Sequence, residues 1–159
     1  KKSEVFGIDV SAPMLRYGFK RTNLLDKKIF YSQQNAEETN FDDNFFDLVV
    51  SHLLTHETST IAFKKIIQES KRILKNKGMM IHDETDWKTE VSSQNKITLD
   101  WETHYNAEPF KTAHDFLDKF LLAEKCGFKS ENILLKKIRS VSKKKYFNGK
   151  WNIFLAIKN

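Results

Sequence analysis

Glycine is scarce in this chain: five residues among 159, and no two of them form a G-x-G. A glycine-rich loop that brings backbone amides against a pyrophosphate is therefore absent from the sequence. Cysteine is scarcer still. The single Cys126 excludes a disulfide framework and a cysteine-rich zinc module, and it fits a reducing compartment. There is no run of eighteen apolar residues, so no membrane-crossing helix is expected. The first residues lack the charged, apolar and small-residue order of a secretory leader, and a cytoplasmic location is the expectation. Internal repeats and low-complexity linkers are also missing.

What is present suits one globular domain spanning residues 1–159, with 40% apolar and 30% charged residues. The formal charge of +6 says little about partners. Lysines dominate it, and only Arg16, Arg21, Arg72 and Arg139 offer a forked guanidinium. The dense stretch Lys136, Lys137, Arg139, Lys143, Lys144 and Lys145 suits a solvated strand and turn, or else an anionic partner.

Glu4 to Val10 is a short apolar run closed by Asp9, the pattern of a buried parallel strand. Ser11 can cap the helix that follows, Pro13 is tolerated in its first turn, and Met14, Leu15, Gly18 and Phe19 form its apolar stripe to about Thr22. Lys28 to Gln33 predicts a second strand, Asn35 to Asn44 a loop and Phe45 to Ser51 a third strand. Residues 59–75 predict a helix with Ile66, Ile67, Ser70, Ile73 and Leu74 on one face, stopped at Asn76-Lys77-Gly78 with Gly78 as a left-handed cap. Met79 to His82 predicts a fourth strand. Residues 84–111 have no sustained period and form an insertion rich in aromatic and polar groups, either a lid over a substrate or a loop clamped on the core. Residues 112–125 predict a helix faced by Ala113, Phe116, Leu117, Phe120 and Leu121, capped by Thr112 and ended by Gly127. Two final strands, 133–142 and 150–158, flank Asn148-Gly149, a type I′ turn signal for an antiparallel hairpin.

Alternating strands and helices predict an α/β fold, a Rossmann-like, mostly parallel sheet with a C-terminal antiparallel hairpin. Ligands in such sheets sit beyond the carboxyl ends of the strands. That directs attention to Asp9 with Val10, Asn35 to Glu37, Ser51 to His56, and Asp83 onward. Asp9 can accept hydrogen bonds from vicinal ribose hydroxyls, or it can serve only the positive end of the following helix.

Gly7-Ile8-Asp9-Val10-Ser11 with Met14-Leu15 resembles the segment after the glycine loop in class I S-adenosylmethionine-dependent methyltransferases of the type 11 kind. Asn35 to Phe41 with Phe46-Asp47-Leu48-Val49 is similar to that family's next two elements, and Glu69-x-x-Arg72-Ile73-Leu74-Lys75-x-x-Gly78 to its helix and turn before the fifth strand. The ordered set covers nearly the whole chain. It implies S-adenosyl-L-methionine as cofactor and a small-molecule acceptor. Asp9 would hold the ribose hydroxyls, Val10 and Met14 would pack on the adenine, Asn35 would meet its amino group and Ala36 would donate a backbone N–H to the ring. Ser51 and His52 would lie near the methionine part. Met14 as helix core and Asn35 as a plain turn residue are the other readings.

One departure stands out. The family opens with a strand, a glycine-rich turn and a helix, and these are not in the sequence given. The missing strand is central, between the first and third strands here, so the expectation is a domain lacking its first strand and first helix and inactive by itself. His56, Glu57, Asp100, His104 and Tyr105 are candidates to line the acceptor pocket, with His56 or His104 available as a base. His52 and His56 lack a third ligand, and no metal is expected. Rival functions are a non-catalytic binding or scaffold domain, and a nicotinamide-dependent oxidoreductase using Asp9 on the other ribose. A nucleic-acid acceptor, resting on the Lys136–Lys145 cluster, implies binding that falls steeply with salt.

Overall fold

The computed structural model describes residues 3–85, 116–139 and 150–159. They form two compact units, divided between Phe41 and Asp42.

The first unit is a βαβ segment. Strand β1 (Phe6–Asp9) leads through Ser11 into helix α1 (Ala12–Leu24), and β2 (Phe30–Gln33) returns parallel to β1. The register sets Phe6 beside Phe30 and Asp9 beside Gln33. Phe6 stacks on Phe30 with ring centroids 5.1 Å apart and meets Phe41 edge-on at 5.8 Å. The Tyr31 ring fills the space over Gly7 and Gly18, where a Cβ would lie 2.8 and 3.2 Å from its Cε1. The expected α1 stripe is only half realised. Leu15 and Gly18 are half-buried, whereas Met14 and Phe19 are 58% and 55% exposed and no α1 residue is buried. Tyr31 takes the contact surface that the stripe would otherwise supply.

The second unit holds a four-stranded sheet in the order β3-β4-β6-β5, from β3 (Phe46–His52), β4 (Leu74–Thr85), β5 (Ile133–Arg139) and β6 (Lys150–Ile157). β3 runs parallel to β4, while β6 pairs antiparallel with both β4 and β5. β1 and β3 belong to different sheets, and β3 is the edge of its own. Helix α2 (Thr60–Ile73) starts where the Ser59 side chain accepts from the Ala62 N–H. Helix α3 (Phe116–Lys125) follows later in the chain, and single 3-10 turns cover Thr55–Glu57 and Ser130–Asn132. Phe63 and Ile67 of α2, Leu122 and Ala123 of α3, Leu74, Met80, Phe154 and Ala156 of the sheet, and Phe128 form one buried cluster. Truncating a side chain such as Phe63 there removes about 3–5 kcal/mol.

Three local expectations change. The α2 face is as expected, with Phe63 added, but the helix ends at Ile73 and β4 begins at Leu74. The left-handed residue is Lys77, at φ 65°, not Gly78. Gly78 answers a different need, because a Cβ there would lie 2.8 Å from the Lys75 carbonyl oxygen and 3.2 Å from that of Phe46. On α3 the buried residues are Lys119, Leu122 and Ala123, and Leu121 is 42% exposed. Of the predicted face, Phe120 is half-buried, while Ala113 and the side chains of Phe116 and Leu117 lie outside the described residues; the Lys119 ammonium reaches Thr55 Oγ1. Gly127 ends this helix at φ 84°, with the Lys71 ammonium donating to the carbonyls of Cys126 and Gly127. Thr112, the 86–111 part of the insertion and Asn148-Gly149 lie outside the described residues.

If close backbone approach is what demands Gly78, Gly78→Ala and Gly78→Asn both destabilise the chain, by about 1–3 kcal/mol, in urea unfolding. A tolerated Asn with a disfavoured Ala is the opposite result, and it would indicate a left-handed requirement.

Candidate functional site

In the first unit the predicted cofactor residues gather at the carboxyl ends of β1 and β2. Asp9 closes β1, and its Oδ1 accepts the Ser11 N–H at 2.7 Å. Ser11 itself makes no side-chain cap, so Asp9 orders the turn into α1. Val10 and Met14 stand beside it, 65% and 58% exposed, an unusual position for two apolar side chains. Asn35 begins a tight turn just past β2, with Oδ1 accepting the Glu37 N–H at 3.0 Å and Ala36 half-buried beside it. Gln33, absent from the predicted set, ties the two strand ends together by donating Nε2 to the Val10 carbonyl at 2.8 Å. Its position opposite Asp9 follows only from the strand register.

In the second unit, Ser51 and His52 end β3 as expected, and register places them opposite His82 and Asp83. Ser51 Oγ lies 2.5 Å from His82 Nδ1. His82 is buried, stacked on Phe154 and edge-on to Phe63, and its Nε2 has no hydrogen-bond partner among the described residues. Burial pushes its imidazole down to about 4, with repulsion from the Lys119 ammonium acting the same way. It is neutral at pH 7. His52 is exposed, and its Nδ1 pairs with Asp83 Oδ2 at 2.8 Å.

One strand position further on, Glu84 is buried, and its Oε2 gathers three donors. They are Thr55 Oγ1 at 3.0 Å, the His56 backbone N–H at 3.2 Å and His56 Nδ1 at 2.8 Å. Lys119 Nζ, also buried, reaches Thr55 Oγ1 at 3.3 Å. His56 is itself buried, and its Nε2 lies 3.3 Å from Glu57 Oε1 on the half-exposed Glu57 side chain. Of the predicted acceptor-pocket residues the structure thus joins His56 and Glu57. Asp100, His104 and Tyr105 lie outside the described residues. Glu84 and Lys119 were not predicted. The signal for Glu84 was its alternation with His82 along β4, and nothing local marked Lys119. No group of three His, Cys, Asp or Glu side chains is placed to hold a metal ion among the described residues.

Parallel β3 and β4, an antiparallel strand inserted beside β4 and polar residues collected at the carboxyl strand ends define a Rossmann-like methyltransferase fold. A family model described as a methyltransferase domain matches residues 1–82, and the chain belongs to that family. Comparison with curated proteins returns no match. Among solved structures, a Methanosarcina mazei S-adenosylmethionine-dependent methyltransferase is 18% identical, with a TM-score of 0.71 over 98% of this chain and 82% of that one. A methyltransferase from Aquifex aeolicus is 17% identical at a TM-score of 0.68, covering 100% of this chain and 71% of that one. The Haemonchus contortus phosphoethanolamine N-methyltransferase 2, in complex with S-adenosyl-L-methionine, is 18% identical at 0.72, covering 98% of this chain and 43% of that one.

Because the folded chain holds His82 neutral to about 4 while the unfolded chain binds a proton near 6.5, the unfolded state carries more protons between those values. The contribution of His82 is complete above pH 6.5 and is lost as pH falls toward 4, on the order of 3 kcal/mol in all. Urea unfolding of His82→Gln at pH 7.5 and pH 5 should show a smaller pH-dependent loss than the parent chain, and equal slopes would refute the assignment.

Proposed function

We propose that the intact protein carries out S-adenosylmethionine-dependent methyl transfer to a small-molecule acceptor, and that this chain contributes cofactor-binding residues to it. The observation that carries the reading is Asp9 at the carboxyl end of β1 with Val10 and Met14 exposed beside it, inside the segment matched by the methyltransferase-domain model. These residues fit the cofactor. An ionised carboxylate has about four lone-pair sites, so Asp9 can keep the Ser11 N–H and still accept from a ribose diol. Val10 and Met14 offer an apolar face to a purine, and the Ala36 N–H and the Asn35 side chain sit at the neighbouring strand end. Ser51 and His52 of the second unit are assigned to the methionine part on the family resemblance. S-adenosylmethionine supplies an electrophilic methyl group on a sulfonium. The chain's own task is to hold and align, since in-line approach dominates such transfers. A small acceptor is supported by the phosphoethanolamine N-methyltransferase likeness, and a cytoplasmic location by the single half-buried cysteine.

Calorimetric titration of the intact protein with S-adenosylmethionine should give saturable binding. Asp9→Asn keeps an oxygen for Ser11 but removes the charge and one acceptor, and it should weaken binding about tenfold, equivalent to about 1.4 kcal/mol. No saturation at millimolar ligand, or saturation only by a nicotinamide dinucleotide, would overturn the reading.

A further inference from the structure

We propose that the outer face and C-terminal end of α1 dock the protein on an anionic lipid membrane. This goes beyond the proposed methyl transfer, and none of the residues assigned to the cofactor takes part.

Helix α1 has two faces of different character. Leu15, Gly18 and Thr22 are half-buried, with the Tyr31 ring over Gly18. Helical spacing sets Tyr17, Lys20, Arg21 and Leu24, at i, i+3, i+4 and i+7, together on the far side. All four are exposed. Tyr17 is 61% exposed, and Leu24, at 80%, is the most exposed large apolar side chain among the described residues. Leu25 extends the apolar patch at the helix end, 58% exposed. A single exposed apolar residue is ordinary, but here three stand together among cations. Between residues 12 and 28, Arg16, Lys20, Arg21, Lys27 and Lys28, all exposed, are balanced by one acid, Asp26. An apolar stripe flanked by charge of one sign is the pattern of a helix that lies on a lipid surface.

The charge selects the occupant. A second copy of this face would set like cations against one another. A groove on another protein would strip water from the lysine ammonium groups, which are strongly hydrated. At a lipid surface the long lysine and arginine stems lie along the apolar boundary while their heads stay wet among anionic phosphates. Tyr17 suits the same depth, with an apolar ring and a polar tip. Each cation close to an anionic leaflet strengthens binding about fivefold. Topology keeps the cofactor end clear of the lipid. Since β1 and β2 are parallel, α1 runs back from the carboxyl end of β1, and its Leu24 end lies toward the amino ends of the strands. Asp9, by contrast, closes the carboxyl end of β1.

Co-sedimentation of the intact protein with lipid vesicles tests this. Vesicles of phosphatidylcholine mixed with phosphatidylglycerol should carry the protein down at low salt and release it at high salt, and pure phosphatidylcholine should not carry it. Leu24→Ser and Tyr17→Ser should each weaken binding about tenfold, while Leu24→Trp should keep it. Lys20→Gln combined with Arg21→Gln should weaken it about twenty-fivefold. Lys64→Gln combined with Lys136→Gln, two exposed lysines of the second unit, should change it by less than about twofold. Every substituted side chain is exposed, so the variants should unfold in urea as the parent does. Equal losses from the two charge pairs would show attraction to the whole protein's charge and overturn the proposal. Equal binding to both kinds of vesicle, or to neither, would overturn it too. Capture of polyglutamate without capture of vesicles would replace the membrane with an acidic protein partner.

Discussion

Parallel pairing of β3 with β4 is the constraint from which the second unit's chemistry follows. It brings Ser51 opposite His82 and His52 opposite Asp83, and it delivers Glu84 to the turn that leaves β3. Three imidazoles consequently meet three partners through the same ring nitrogen. His82 Nδ1 meets a hydroxyl in the core, His52 Nδ1 a carboxylate at the surface and His56 Nδ1 a buried carboxylate. Environment separates their roles. The core ring is neutral and packs as an aromatic, and the surface pair contributes little because water screens it. The His56 ring is buried and held between Glu84 and Glu57.

The end of α2 explains why the Glu69-x-x-Arg72 pattern accompanies this fold. Arg72 donates to both Glu69 oxygens, one turn back, and to Asp43 ahead of β3. Glu69 first, then Asp43, raises the guanidinium further above its ordinary range. Lys158, after β6, donates to the Leu74 and Arg72 carbonyls and to Asn44 Oδ1. These charges satisfy the last carbonyls of the helix, which would otherwise lack partners. The pattern is a staple that lets β4 leave α2 with no intervening loop.

Much of the fold was legible because burial leaves period-two and period-3.6 traces. The strands at Phe6, Phe46 and Ile133 and the face of α2 followed from those traces. What the traces misplaced was decided by partners distant in sequence. Tyr31, a residue of β2, took the packing that Met14 and Phe19 were expected to supply to α1. Lys119 is buried on account of Thr55, 64 positions earlier, and no local pattern of α3 contains that fact. Of the site, Asp9, Ser51, His52 and His56 were read from strand ends, while Glu84 looked like the start of a polar insertion. A buried acid is recognisable only when its donors are known, and those lie 28 and 29 positions away.

Alternation along β4 has a consequence for how the chain finds its register. Met80, His82 and Glu84 point inward, with Ile81 and Asp83 between them on the other side. Sliding the strand by one residue would bring Asp83 into the apolar cluster without donors and turn His82 and Glu84 out to water. A misaligned sheet would thus bury an orphaned charge and forfeit every bond to the Thr55 turn, a penalty far above that of an apolar slip. The polar groups that equip the strand end for chemistry also proofread its alignment during folding.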